Sequence, residues 1–434
     1  MSSQPEQSSL GSYSTSTLTF LVVASMIGAG VYTTSGFAMA DLQSPTRVML
    51  AWMVGGVIAL SGAICYGQLA ERLTENGGEY LYLSRFLHPA MGCVAGWVSL
   101  LAGFTGAGAF AALTFEAYAI PQASSLSLGP TGSIAILSTL LLMAFQLISH
   151  QRQAWLQNGI VLLKLFGLIV FLIIALKNWP QVSPSIPPTL DPVTPFDLKV
   201  FATSVMWISL SYCGFNAAIY VAGDAQQQEK GVRRSLIGGT CLVTALYLVL
   251  NAVFVYGTLP ETITGVKDIA AVRASQLGGL QLEWFMRSVI CLGLLSSVSS
   301  VLMTGPRVYA KMADDGVLPK WMKSNTPSPN RMIWFQGLAI CLVISLSQLK
   351  ELLSYLGLTL SLCAAATVST LLLPSTHSLQ WWQKIPALLY VGATLTLSTL
   401  MGLNRPQEAI ACVVTFCLGL AHYGLLRWQK RAVR

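Results

Sequence analysis

Charge is the scarcest property of this sequence: only 10% of its 434 residues are Asp, Glu, Lys or Arg. A soluble domain carries about 25% charged residues, so a soluble globular chain is excluded. Apolar side chains make up 54% of the residues, and the mean hydropathy is +0.63. A chain of this length can hold about twelve helical membrane spans joined by short connections. The sequence therefore predicts an all-α polytopic membrane protein.

Signatures of metal binding, disulfide bonding and catalysis are also missing. The nine cysteines include no CxxC pair and no pairing with histidine. Most of them, among them Cys65, Cys241, Cys341 and Cys412, lie in apolar runs and are interpreted as small buried hydrophobic residues. The four histidines fall near the ends of apolar segments, whereas an intramembrane enzyme needs two carboxylates, an HExxH run or a Ser, His and Asp set. We predict a protein that is not an enzyme and has no metal or cofactor.

Basic residues exceed acidic ones, which gives a net charge of +8, but they are scattered in short loops between apolar runs. This distribution indicates the positive-inside bias of a membrane protein rather than a nucleic-acid surface. With the N-terminus inside, sixteen of the 25 Lys and Arg residues fall on the inner side and eight on the outer side, with Lys164 in neither group. The first 15 residues lack Lys and Arg, so they are not the basic region of a signal peptide. We predict a multi-pass protein of the cell (inner or plasma) membrane with both termini in the cytoplasm.

The first apolar segment, residues 16–41, contains two glycines separated by one residue, Gly28 and Gly30. Each glycine costs about 1 kcal/mol relative to alanine inside a helix and permits backbone angles that interrupt it. In lipid, an interrupted helix is tolerated only where its backbone is buried in protein or lines a cavity. The pair therefore predicts a cavity at mid-membrane depth; the alternative is that the glycines let two helices pack closely.

The sixth apolar segment, residues 197–223, is interrupted in a similar way at Tyr212–Asn216. Interrupted segments at corresponding positions of two halves are the best sequence indication of a transporter's substrate site. Because each half then has five spans, an odd number, the halves must be inverted relative to each other. The predicted organisation is a disordered cytoplasmic tail at 1–15, a first repeat at 16–177, an external Pro-rich loop at 178–196, a second repeat at 197–375, and two further spans with a basic tail at 376–434.

Two stretches between spans are less apolar. Residues 71–80, after the second span, are predicted to form a polar hairpin. Residues 268–277 are predicted to form a short amphipathic segment ahead of the eighth span at 284–310.

An interrupted span presents free N–H groups at the start of one half-helix and free C=O groups at the end of the other. The helix dipoles favour a carboxylate at the N–H groups and an ammonium at the C=O groups. A single zwitterion satisfies both without any charged side chain. This agrees with the near-absence of acidic residues within the predicted spans.

Several stretches carry a family resemblance: Gly28–Tyr32 in span one, Tyr66–Ala70 at the end of span two, Glu75–Tyr82 with Gly96 and Trp97 at the entry to span three, Gly214–Asp224 in span six and Arg307–Pro319 after span eight. In this order and at these separations, between about residues 16 and 375, the chain resembles the amino acid–polyamine–organocation superfamily of secondary transporters. The resemblance implies a LeuT-like fold: about twelve spans, a five-plus-five inverted repeat with broken first and sixth spans, and two added C-terminal helices.

The resemblance also implies a substrate site. The N–H groups of Ala29 and Gly30 should face a carboxylate, and the carbonyls of Met26, Leu210 and Cys213 should face an ammonium. Phe215 should cover the bound substrate as a thin gate, with ordinary packing as the alternative. The substrate-binding residues predicted in this way are Met26, Gly28, Ala29, Gly30, Leu210, Cys213, Gly214, Phe215 and Asn216.

Lys164 lies eight or nine residues inside the fifth span, too deep to reach the interface easily. An ionisable residue within a span is a functional hypothesis by default. The resemblance implies that Lys164 points at the span-one break, where sodium-coupled relatives of the fold bind a sodium ion. Two roles remain open: a structural ammonium that also links conformations, or a proton carrier.

Other polar residues within the spans receive weaker interpretations. Ser296, Ser297, Ser299 and Ser300 in span eight are expected to reach either the cavity or a neighbouring helix. Glu116, near the outer end of span three, is interpreted as interfacial rather than functional.

The predicted function is a sodium-independent secondary active transporter, a permease or exchanger, that moves amino acids by alternating access. Small or medium neutral amino acids are favoured, because no acidic residue was found near either break to pair with a second cation. The alternatives are a polyamine or cationic amino acid antiporter and a transporter-like amino acid sensor. The predicted partners are the amino acid and the lipid bilayer, with no nucleic acid; proton coupling, the exact substrate and the oligomeric state are left open.

Overall fold

A computed structural model describes residues 13–73, 78–120, 130–148, 153–182, 195–224, 228–256, 260–318, 320–323, 330–373 and 380–432. The predicted N-terminal tail up to residue 12, residues 74–77 of the motif at Glu75–Tyr82 and most of the Pro-rich loop lie outside these ranges.

Helices account for the regular structure of the described residues. The α-helices are α1 (Thr15–Met26), α2 (Ala29–Leu42), α3 (Pro45–Ala70), α4 (Gly78–Phe86), α5 (Pro89–Val98), α6 (Ala107–Ala119), α7 (Ser133–Ile148), α8 (Gln153–Val182), α9 (Leu198–Tyr212), α10 (Gln228–Tyr256), α11 (Pro260–Ile263), α12 (Ile269–Asp314), α13 (Asn330–Leu346), α14 (Leu349–Ser369), α15 (Ile385–Asn404) and α16 (Pro406–Ala432). A π-helical segment, Ser99–Gly106, joins α5 to α6, and short 3-10 helices cover Ala217–Asp224, Lys320–Met322, Thr370–Leu372 and Trp381–Lys384.

The helices have the length and composition of membrane spans. Within the described residues, nine helices are long and apolar enough to cross a bilayer, and α1 with α2 forms a tenth candidate. Two shorter apolar helices cover Ser133–Gln146 and Arg331–Leu346. The outward face of α8 is apolar and exposed at Leu162, Phe166 and Ile173, as expected for side chains that contact lipid. The chain is therefore a polytopic membrane protein, while the count of twelve and the inverted repeat stay predictions.

The first span is interrupted at the glycine pair. Helix α1 ends at Met26 and α2 begins at Ala29, and the two axes are bent by 41°. The intervening Gly28 has an extended backbone, with φ −125° and ψ −160°. Sequence reasoning placed this interruption correctly.

The sixth span is interrupted at its predicted position as well. Helix α9 ends at Tyr212, a turn covers residues 213–216, and a 3-10 helix follows at Ala217–Asp224. Gly214 within the turn has φ +105°, a region that favours glycine because it has no Cβ atom.

One of the two predictions about the connecting stretches needs correction. Residues 78–80 do not belong to a polar hairpin but begin α4, which buries Glu79, Tyr82 and Leu83 in the bundle. The apolar residues of α4 recur at helical spacing. The prediction missed this helix because it grouped residues 78–80 with the polar residues before them. The short segment predicted at 268–277 has the expected extent, since residues 269–277 are helical and the non-helical Gly278 and Gly279 separate them from the rest of α12.

The cysteines follow their predicted environment only in part. Cys65 and Cys412 are buried. Cys241 is exposed, next to the exposed Leu242 on α10. The prediction was wrong for Cys241 because an apolar run in a membrane helix includes the face that contacts lipid, and hydropathy does not separate the two faces.

Glu116 has a structural role. Its carboxylate accepts hydrogen bonds from the backbone N–H groups of Gly132 (2.7 Å), Ile134 (2.9 Å) and Ala135 (3.0 Å). These groups lie at the start of α7, where the first N–H groups of a helix have no intrahelical partner. Glu116 therefore joins the end of α6 to the start of α7.

Replacing Glu116 with alanine should lower the free energy of unfolding by about 0.5–2 kcal/mol, the range for a lost helix cap. Thermal unfolding of the purified protein in detergent measures the effect. Glu351→Ala is the control, because Glu351 is exposed and accepts a single backbone hydrogen bond, from Gln348. Equal unfolding midpoints for the two variants would show that the three hydrogen bonds of Glu116 add no stability.

Candidate functional site

A cavity of about 1530 Å³ lies between the two interrupted spans. Its wall includes Gly28 of the first break and residues 213–216 of the second. From there it extends past α4 to charged residues at the end of α12, namely Arg307, Lys311 and Asp315. The volume exceeds the 300–1,000 Å³ typical of small-molecule pockets, so the cavity has room for a small organic molecule and water.

The two glycines of the first break have different surroundings. A Cβ atom at Gly28 would have no neighbour closer than 4.0 Å, the carbonyl oxygen of Met26. A Cβ atom at Gly30 would lie 2.5 Å from the hydroxyl of Ser211 on α9. Both interpretations of the pair therefore hold, one for each residue: Gly28 faces the cavity, and Gly30 lets α2 approach α9 closely.

The start of α2 offers backbone donors near the cavity. The helix begins at Ala29, and no side chain caps it at Gly28. Its first N–H groups therefore lack intrahelical partners and carry the positive end of the helix dipole. Ala29 and Gly30 themselves are buried and are not among the residues that line the cavity, so their predicted contact with a carboxylate stays a prediction.

Two of the carbonyls predicted to face an ammonium already accept hydrogen bonds. The hydroxyl of Tyr247 on α10 donates to the carbonyl of Met26 at 2.6 Å and lies 3.2 Å from that of Ser211. The carbonyl of Leu210 accepts from the N–H of Cys213 at 3.0 Å. Sequence reasoning missed Tyr247, whose only signal is a tyrosine placed inside the seventh span.

Lys164 on α8 reaches the end of α1. Its ammonium donates to the carbonyl oxygens of Ile27 (2.5 Å) and Ala24 (3.3 Å), and its side chain is 5% exposed. Carbonyls at a helix C-terminus lack intrahelical donors and carry partial negative charge. The lysine thus supplies a cation and hydrogen-bond donors at the interruption.

Phe215 lies within an aromatic cluster on the cavity wall. Its ring makes edge contacts with Tyr66 and Tyr390, at centroid distances of 5.5 and 6.3 Å. The side chain is buried. In this conformation Phe215 packs against the scaffold, and its predicted role as a gate stays a prediction.

Some serines of α12 reach the cavity and one contacts a neighbouring helix, which were the two expected positions. Ser296, Ser297 and Ser300 line the cavity. Ser299 instead accepts a hydrogen bond from the side-chain amide of Gln146 on α7, at 2.8 Å. The helical period explains the division, because Ser296, Ser297 and Ser300 fall within an arc of about 100° of the helix and Ser299 falls outside that arc.

An acidic residue lies beside the second break, contrary to the expectation that none does. The carboxylate of Glu79 accepts hydrogen bonds from the side-chain amide of Asn216 (3.2 Å) and from the hydroxyl of Tyr66 (2.5 Å). Sequence reasoning missed this residue because it lies on α4, between spans, and only the packing of α4 brings it to the cavity. Burial raises the pKa of the Glu79 carboxyl above its ordinary value, although the hydrogen bond from Tyr66 opposes this shift.

Metal coordination has no support in the described part of the chain. No group of three or more His, Cys, Asp and Glu side chains there is arranged to hold a metal ion.

Comparison with known proteins gives a family. A family model described as amino acid permease matches residues 13–417. The chain is similar to the large neutral amino acids transporter small subunit 2 of Rattus norvegicus, with 23% identity over 360 residues, 80% of this chain and 67% of the relative. It is also similar to the Asc-type amino acid transporter 1 of Mus musculus, with 21% identity over 81% of this chain and 68% of the relative. The b(0,+)-type amino acid transporter 1 of Mus musculus is 20% identical over 94% of this chain and 86% of the relative.

Replacing Gly214 with alanine should prevent correct packing of the two breaks. Its φ of +105° disfavours an L side chain, and a Cβ atom there would lie 2.7 Å from the carbonyl oxygen of Ser25. Gly265→Ala is the matched control, since Gly265 also has a positive φ, +73°, but open space around its Cβ position. The backbone cost alone is about 1–2 kcal/mol. We expect a distinctly lower unfolding temperature for Gly214→Ala than for Gly265→Ala; equal values would exclude a tight contact at Gly214.

Proposed function

The chain belongs to the amino acid permease family, and from this premise we propose that it is a secondary active transporter, a permease or exchanger, of small or medium neutral amino acids. The protein would work by alternating access and without sodium. One observation carries the proposal: the cavity lies between the two interrupted spans, and Lys164 binds the carbonyls at the first interruption.

The proposed binding mode uses backbone groups. The uncapped start of α2 at Ala29 and Gly30 would bind the substrate carboxylate. The end of α9, with the carbonyls of Leu210 and Cys213, and that of Met26 would bind the ammonium, since each carbonyl oxygen has two lone pairs. In this mode Gly28 leaves space beside the backbone, Gly214 lets the two breaks approach each other closely, and Phe215 and Asn216 border the substrate.

The charges in the cavity wall favour a neutral substrate side chain. Among the described residues, the acidic members of the wall are Glu79 and Asp315. Asp315 is paired with Lys311 at 3.2 Å, and Glu79 accepts hydrogen bonds from Tyr66 and Asn216. A cationic substrate side chain would therefore compete with Lys311 for Asp315, or lie beside a Glu79 that two donors already stabilise, and it would have to leave water in a buried site, which is costly.

The position of Lys164 supports the proposed sodium independence. The carbonyls of Ile27 and Ala24 are the acceptors that a cation at this break would need, and the ammonium already occupies them. The lysine joins α8 to α1 across the interruption. The contact between Lys164 and α1 can therefore differ between the conformations of the transport cycle, whether or not the lysine releases a proton.

The proposed membrane arrangement keeps the predicted organisation. It has about twelve spans, inverted repeats at 16–177 and 197–375, and two added spans at the C-terminus, in a cell (inner or plasma) membrane. Both termini lie in the cytoplasm, because the basic residues are then concentrated on the inner side.

The function is tested by uptake of radiolabelled amino acids into liposomes that contain the purified protein. The panel includes neutral and cationic amino acids and a polyamine. Uptake of neutral amino acids supports the proposal. Uptake restricted to cationic substrates would support the antiporter alternative, and binding without uptake would identify a sensor.

A side chain larger than methyl at Gly28 should block substrate binding without unfolding the protein. Gly28 has an extended backbone that other residues adopt, and its Cβ position faces open space. Gly28→Leu should therefore lower binding of the transported amino acid at least tenfold, whereas Gly28→Ala should bind nearly normally (about 1.4 kcal/mol corresponds to tenfold). Equilibrium binding to the detergent-purified variants measures this. Normal binding by Gly28→Leu would show that the substrate does not bind at this break.

Lys164→Ala should lose most transport, because the carbonyls of Ile27 and Ala24 would be left without a donor in a buried site. The measurement is uptake into liposomes with sodium replaced by choline. Lys199→Ala is the control, since Lys199 is exposed at the start of α9. A strict sodium requirement in the unmodified protein would contradict the role given to Lys164.

A further inference from the structure

Glu79 is a buried carboxyl at the junction of four parts of the bundle. It lies on α4 and accepts hydrogen bonds from Tyr66 of α3 and Asn216 of the span-six break. Cys363 on α14 also faces it. The side chain is 9% exposed, yet Glu79 belongs to the cavity wall.

The neighbours of Glu79 are neutral. The titratable groups that face it from the packed elements are Tyr66 of α3, Cys213 and Tyr220 of the sixth span, Cys363 of α14 and Tyr390 of α15. Cys93 of α5 and Asp315, which follows the last residue of α12, lie against the next residue, Tyr80. Among the ion pairs of the described residues, none includes Glu79.

A carboxylate buried without a cation is costly, and the usual remedy is to bind a proton. Tyr66 and Asn216 both donate to Oε1, which leaves Oε2 to take the proton. Water in the cavity can deliver it, since the cavity extends to the charged residues at the end of α12. The step forms one O–H bond and neutralises one negative charge.

We infer that Glu79 is a proton-binding site whose protonation is linked to movement of the broken sixth span during transport. The inference goes beyond the proposed function, on which its transport part rests. An ionised Glu79 depends on the amide of Asn216 as a donor, and separating the two groups would leave a poorly solvated charge. A protonated Glu79 carries no charge, so the same separation costs less.

The direction of the pH effect follows from this argument. Uptake should rise as the pH on the cavity side falls, because protonation eases the movement of Asn216. Since burial raises the pKa of Glu79, the change occurs nearer to neutral pH than for an ordinary glutamate. For a single group the response is at most about tenfold per pH unit.

The first experiment detects the proton directly, without any substrate. Infrared difference spectra of the purified protein are recorded during a pH titration, and the C=O stretch of a protonated carboxyl is followed. Glu79→Gln should remove one such band, and Asp315→Asn should keep it, because Asp315 is partly exposed and its carboxylate is paired with Lys311. A band that survives in Glu79→Gln would overturn the site.

The second experiment tests the link to transport in liposomes with a fixed internal pH and a varied external pH, and then the reverse. Uptake of the best radiolabelled neutral amino acid of the panel should depend on pH in the unmodified protein and in Asp315→Asn, and should become independent of pH in Glu79→Gln. An unchanged pH profile in Glu79→Gln would overturn the coupling. A protein that moves no amino acid would contradict the proposed function, while the infrared result would still decide the proton site.

Tyr66→Phe provides a variant that keeps the carboxyl and the aromatic ring. It removes a donor that stabilises the ionised form, so the infrared titration of Glu79 and the pH profile of uptake should both move to higher pH. A structural role of the hydroxyl would change stability but not the midpoint. No shift, or a shift to lower pH, would contradict the inference.

Discussion

The structure depends on one constraint: a helix interrupted inside a membrane exposes backbone groups that no solvent can satisfy. Each such group costs several kcal/mol in an apolar environment. Lys164 supplies donors to the carbonyls of Ile27 and Ala24, and Tyr247 supplies one to Met26. With these carbonyls satisfied from α8 and α10, the first span can be broken without unfolding. The interrupted backbone can then line a cavity without leaving unsatisfied polar groups in the membrane.

The two breaks pack directly against each other, and a glycine makes each of the close contacts possible. Gly30 brings α2 against Ser211, and Gly214 brings the second break against Ser25. Because of these contacts, a movement of one break displaces the other. Glu79 adds a link from this unit to the scaffold through Tyr66 of α3 and Asn216. Of the two ionisable side chains, Lys164 consequently contacts the first break and Glu79 contacts the second.

Sequence alone determined the class of the molecule and the positions of both breaks. Low charge and long apolar runs exclude a soluble chain, because about 20 apolar residues in a helix suffice to cross the hydrocarbon layer. Gly28 marks the first interruption, and residues 212–216 mark the second, because glycine and turn residues act on the local backbone. Lys164 was also identified from sequence, since a charge deep inside an apolar run needs a buried partner.

Only the tertiary structure decided which residues meet at the site. The sequence could not separate the roles of Gly28 and Gly30, because the difference lies in Ser211, a residue 181 positions away from Gly30. It also missed Tyr247 and Glu79, each an ordinary residue of its own helix until packing brings it to a break. Local periodicity and composition determine where helices begin, end and break. The partners of a buried polar group are set by contacts between distant segments, which no local pattern records.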